Sequence, residues 1–184
     1  MKLIMVDLDG TLVDTRCVNF SAYQKALKLF GYEIEYDYYC EYCNGRYYLD
    51  FLPQLSTSDP RVLSEIHEIK KKTYSEYLHL ARLNSHLVNI IRIAKSEYKI
   101  ALVTTASKSN TYEILQYFGL VEYFDLILTH DDISLSKPDP EGFLKAMAHF
   151  NSAPEECIIF EDSTVGIEAA LKTGAELFIV KGYN

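Results

Sequence analysis

Four consecutive apolar residues, Leu3, Ile4, Met5 and Val6, open the chain, and the run stops at Asp7. An unbroken apolar run suits a strand covered on both faces in a parallel sheet, because a half-exposed strand alternates. After Asp14 the spacing changes to four, with Val18, Ala22, Ala26 and Phe30 on one helical face and Gly31 placed to end the helix. Helical and irregular sequence continues to about Asn84, where Pro53 and the stretch STSDP ending at Pro60 predict a turn between helices. From Ser85 a regular alternation resumes. A helix carrying Leu87, Ile90, Ile91 and Ala94 leads to a strand over residues 100–103; a helix over 111–118, stopped by Gly119, leads to a strand over 126–128. Asp139 is placed to cap a helix whose first residue is Pro140, where the missing N–H costs nothing. A strand over 157–160, a helix through Ala169 and Leu171 ending at Gly174, and a strand over 177–180 follow. The pattern predicts an α/β fold: a Rossmann-like parallel-sheet core from residues 1–13 and 85–184, with an inserted helical domain at 14–84.

Composition narrows the partners. The 184 residues suffice for one core and a small inserted domain. A net charge of −8 and a pI near 5.1 argue against nucleic acid or an anionic membrane as the main partner. No apolar run approaches the roughly 18–20 residues of a membrane span, and the N-terminal run is too short and too acidic at its end for a signal peptide. The expectation is a cytoplasmic protein, monomeric or a weak homodimer. Four cysteines, Cys17, Cys40, Cys43 and Cys157, are too scattered for a disulfide framework, and the one C-x-x-C lacks the second ligand pair of a zinc site. Ten of the fifteen tyrosines lie between Asp14 and Asn84, so the insertion is aromatic-rich; most are expected to pack in its core.

The chemistry collects at strand ends. Asp7 and Asp9 stand two apart where the first strand stops, and Gly10 lets the backbone turn there with its N–H groups toward a ligand. Ligands in open α/β sheets bind outside the carboxyl ends of strands, and two carboxylates so close call for a shared proton or a cation such as magnesium. Thr104 and Thr105 end a second strand, Glu161 and Asp162 a third, and Lys137 precedes a proline-started helix at the same edge. Singly these are a strand end, a surface charge and capping acids. Together they make a site for a phosphate and a metal, and no G-x-x-x-x-G-K-[ST] is present to explain them as a nucleotide loop.

DLDGT at residues 7–11, Thr104, Lys137 in SKPDP and EDSTVGIEAA from Glu161 resemble, in order, the four motifs of the haloacid dehalogenase superfamily, in its capped phosphatase and beta-phosphoglucomutase-like branch. The resemblance spans essentially the whole chain. It implies Asp7 as nucleophile, Asp9 as general acid and base, and Gly10, Thr11, Thr104, Thr105 and Lys137 as phosphate binders. It also implies a magnesium ion held by Asp7, Asp9, Glu161 and Asp162, with residues 14–84 as a helical cap. The implied activity is a magnesium-dependent phosphatase acting through an aspartyl phosphate on a small phosphorylated metabolite. A sugar-phosphate mutase and a non-catalytic metabolite-binding protein are the alternatives. Mutase relatives carry a histidine where this chain has Asn19, and an amide cannot titrate. Arg46, beside Gly45 in the insertion, is a candidate specificity residue for a second substrate anion, or equally the partner of Asp50 one helical turn on.

Overall fold

The computed structural model describes residues 2–182 and divides into two compact units, one made of the chain up to Asp14 and again from Arg82, the other Thr15–Ala81. In the first unit β1 (Leu3–Val6) leads to β2 (Val13–Asp14), which pairs antiparallel with β3 (Arg82–Leu83). The remaining strands are β4 (Lys99–Val103), β5 (Leu126–Leu128), β6 (Cys157–Glu161) and β7 (Glu176–Ile179). Five of the seven form a wholly parallel sheet in the order β5-β4-β1-β6-β7. All four residues of β1 are buried, as its unbroken apolar run requires of the central strand. Leu3 and Met5 pack on one face with Val103, Phe143, Met147 and Ile159. β7 is an edge, and Phe178 and Ile179 on it are each 49% exposed.

Helix starts depart from the apolar spacing where a side chain caps them. Numbered through the whole chain, α1 is Arg16–Lys28, α2 Tyr36–Tyr38, α3 Tyr48–Leu55, α4 Pro60–Thr73, α5 Ser85–Ala94, α6 Lys108–Tyr117, α7 Glu141–Phe150 and α8 Thr164–Leu171. The helix expected at 111 begins three residues earlier, because the hydroxyl of Ser107 accepts the N–H of Asn110. α7 starts one residue after Pro140, with the Asp139 carboxylate accepting the N–H of Glu141 at 2.9 Å.

The second unit is helical, and its core joins Tyr23, Leu27 and Ile34 to Tyr39, Phe51, Leu52 and Ile66. Pro53 lies inside α3 rather than in the turn expected there; the helix forgoes one backbone bond and is held by the burial of Phe51 and Leu52. The turn itself is confined to residues 56–59, where Asp59 caps α4 and Pro60 occupies its first position. Tyr23, Tyr39 and Tyr74 are core residues, whereas Tyr36, Tyr38, Tyr42 and Tyr47 are exposed, so core packing accounts for only part of the tyrosine content. The hydroxyl of Tyr23 meets Nδ1 of His67 at 3.1 Å, and His67 stacks on Tyr48 with ring centroids 4.0 Å apart. Cys17, Cys40, Cys43 and Cys157 are free thiols. No helix among the described residues is long and apolar enough to cross a membrane.

Candidate active site

The strand order reverses about β1, which places a crevice at the carboxyl ends of β1, β4 and β6. Asp7 follows β1 directly, and its N–H continues the ladder to the carbonyl of Phe160. Its buried carboxylate accepts at Oδ1 from Lys137 Nζ at 2.6 Å. Lys137 Nζ also donates to Oε1 of Glu161 at 2.7 Å and to the carbonyl of Val103 at 3.2 Å. An ammonium has three protons, so all three are engaged. Lys137 is therefore the counter-charge of Asp7 and Glu161, and any further acceptor has to displace one of its three partners, of which Val103 is the most distant.

Glu161 is fully buried and saturated. Its Oε2 accepts from the N–H groups of Asp162 and Ser163 at 2.7 and 2.8 Å and from the Ser163 hydroxyl at 3.1 Å. Ser163 in turn accepts the N–H of Gly166 to cap α8. A β-carbon on Gly166 would fall 1.7 Å from Oε1 of Glu161, so glycine is what leaves room for this carboxylate. Neither Ser163 nor Gly166 is among the site residues expected from sequence; a serine three positions ahead of a glycine at a helix start is the signal that could have found them.

Asp162 is seated by the motif loop. Gly10 has φ +92°, and a β-carbon there would lie 2.2 Å from Asp162 Oδ2, while the Thr11 hydroxyl donates to Asp162 Oδ1 at 2.8 Å. These contacts engage the donors of two of the expected phosphate binders. The N–H of Gly10 is spent on the carbonyl of Val13 at 2.8 Å, and Thr11 is fully buried with its hydroxyl on Asp162. Thr104 is buried at the end of β4, and its hydroxyl oxygen accepts the N–H of Ala106 at 3.0 Å, which leaves the hydroxyl proton to donate. Thr105, next to it, is exposed.

Oxygens of Asp7, Glu161 and Asp162 lie within 4.8 Å of one another. Asp9, also expected to hold the metal, is not among the side chains of that cluster; its backbone bridges to Val13 in the tight turn. Three carboxylates face one ammonium. Burial pushes Asp7 up to about 8 against the pull of Lys137, with the charge of Glu161 adding to the rise. Burial likewise pushes Asp162 up to about 6, opposed by the Thr11 hydrogen bond and reinforced by Glu161. Burial alone would lower Lys137, but the charges of Asp7 and Glu161 carry it above the ordinary lysine value. A surplus of buried negative charge with oxygen donors is the chemistry a hard divalent cation satisfies.

Arg46 is exposed on the helical unit, and no ion pair joins it to Asp50 among the described residues. Asn19 donates its amide to the carbonyl and the hydroxyl of Thr15, both at 3.2 Å.

Residues 4–180 match the family model described as haloacid dehalogenase-like hydrolase. A phosphorylated carbohydrates phosphatase from Thermotoga maritima is 30% identical over 182 residues, covering 96% of this chain and 83% of that protein. The pyrophosphatase PpaX of Bacillus cereus is 28% identical over 196 residues, covering 99% and 86%. The crystal structure of CbbY from Rhodobacter sphaeroides in complex with phosphate superposes with a TM-score of 0.85 at 23% identity, covering 100% of this chain and 87% of that one; the likeness is one of fold.

Proposed function

Because the chain belongs to the haloacid dehalogenase-like hydrolase family, we propose that this phosphatase is magnesium-dependent and removes phosphate from small phosphorylated carbohydrates. The observation that carries the reading is the cluster of three carboxylates, Asp7 and Glu161 buried and Asp162 half-buried, beside the Lys137 ammonium at the end of β1, with a further acid, Asp9, two residues on. Asp7 and Asp162 are the residues suited to hold the ion, since both oxygens of Glu161 are committed elsewhere. A bound magnesium ion supplies positive charge to phosphoryl oxygens that would otherwise be repelled by the site.

The chain's own groups divide the remaining work. Asp7 attacks phosphorus in line to give an aspartyl phosphate, which splits one hard displacement into two. Lys137 keeps Asp7 oriented and, on releasing Val103, balances charge on the transferring group. Thr104 donates its hydroxyl proton to a phosphoryl oxygen. Asp9 protonates the leaving alcohol and then takes a proton from the water that hydrolyses the intermediate. Asn19, turned back on Thr15, offers no titratable group near the linker, which favours hydrolysis over a mutase. The net charge of −8 argues against nucleic acid or an anionic membrane as a partner.

Phosphate release from hexose and pentose monophosphates and from pyrophosphate, with magnesium and with EDTA, tests the reading. Magnesium-dependent release that prefers sugar phosphates and vanishes in a folded Asp7→Asn variant is expected. Full activity in EDTA or in Asp7→Asn refutes the mechanism, and release from pyrophosphate alone refutes the substrate class.

A further inference from the structure

Asp162 reaches the site from the loop after β6, yet the atoms that orient it belong to a loop 151 residues earlier in the chain. Gly10 provides a surface without a side chain, and Thr11 provides the donor. Thr11 is itself held. Asn84, 6% exposed, donates Nδ2 to the carbonyl of Thr11 at 3.1 Å, and its backbone N–H reaches the carbonyl of Leu12 at 2.9 Å. The other end of the same amide, Oδ1, accepts the N–H of Leu87 at 3.1 Å and caps α5. One buried side chain thus ties the start of a core helix to the loop that carries Asp9 and Thr11.

We propose that Asn84 and Thr11 are positioning residues acting in series on Asp162: Asn84 fixes the backbone of Thr11, and the Thr11 hydroxyl fixes the carboxylate that faces the cation. The inference rests on the proposed function, and assigns to these two residues metal affinity rather than the chemical step. A donor that orients a ligating carboxylate sets affinity by about 10- to 100-fold in metal sites generally. Threonine at position 11 is read here through its proton and not its shape, so valine and serine separate the two.

The test is manganese binding to the whole protein, followed by electron paramagnetic resonance without substrate, alongside circular dichroism. Thr11→Val is expected to raise the manganese Kd about tenfold or more, and Thr11→Ser to stay within about threefold of wild type. Asn84→Ser keeps an acceptor for Leu87 but removes the donor to Thr11, and is expected to weaken binding about threefold or more. The double variant Thr11→Val with Asn84→Ser should bind no more weakly than Thr11→Val alone, since both act through one bond. In assays, magnesium half-saturation should rise while kcat at saturating magnesium changes far less. Unchanged affinity in folded Thr11→Val, or additive losses in the double variant, overturns the inference; should Thr11→Val not fold, unchanged binding in Asn84→Ser does so. If the wild type binds manganese and hydrolyses phosphate but the variants match it, only this inference falls. If the wild type binds no manganese, the proposed function falls with it.

Discussion

Lys137→Met removes the one ammonium among the three carboxylates while keeping most of its length. Lys137 is 7% exposed in its side chain, Asp7 9% and Glu161 0%, so water cannot replace what is lost. At an effective dielectric of about 20, a unit charge pair at 2.6–2.7 Å attracts by roughly 6 kcal/mol, and Lys137 makes two such pairs. Desolvation of all three groups offsets much of that sum, and breaking a buried pair from one side typically costs about 3–5 kcal/mol. We expect a loss of that size in the core unit. Adding Asp7→Asn to Lys137→Met removes one stranded charge and should recover about half of it. The protein has no tryptophan, and most of its tyrosines lie in the helical unit, so tyrosine fluorescence reports chiefly on the wrong part. Urea denaturation followed by circular dichroism, with hydrogen exchange in β1 and β6, reads the core instead. A loss below about 1 kcal/mol, or no recovery in the double variant, refutes the account of Lys137 as counter-charge.

Asp9→Asn should slow turnover of alkyl phosphates by about 10²–10⁴, and that of p-nitrophenyl phosphate much less, because nitrophenolate hardly needs a proton; equal losses for both esters would exclude a general-acid role. Burial, with the charges of Lys70 and Lys71, holds His67 down at about 4 from an ordinary 6.5. The unfolded chain therefore binds the proton more tightly, and this contribution to stability is complete above pH 6.5 and lost as pH falls toward 4. The full shift corresponds to about 3 kcal/mol; His67 is only half-buried, so about 1–2 kcal/mol is expected, measured as urea stability of the helical unit at pH 7 and pH 4.5. His67→Phe keeps the ring on Tyr48 and should flatten that pH dependence; an unchanged slope would assign it elsewhere. Arg46→Ala should reduce kcat/KM for a sugar phosphate bearing a second anion far more than for p-nitrophenyl phosphate, and a uniform small change would leave Arg46 a surface residue.

The elements were legible in the sequence because apolar spacing is a local property. The unbroken run from Leu3 to Val6 announced a central parallel strand, the four-residue spacing after Asp14 announced a helix, and the acids at strand ends marked an edge where a ligand site belongs. Boundaries were less legible, since a cap such as Ser107 or an interior Pro53 is decided by a few side chains rather than by period. Tertiary structure alone decided the order β5-β4-β1-β6-β7, and with it which strand ends became neighbours. It also decided how each polar atom is spent: the N–H of Gly10 on Val13, the hydroxyl of Thr11 on Asp162, and every proton of Lys137 on a partner. A motif specifies which donors and acceptors exist. Their pairing depends on groups arriving from segments up to 151 residues apart, and a buried polar atom takes whichever partner the packing presents, because leaving it unpaired costs more than any single bond contributes.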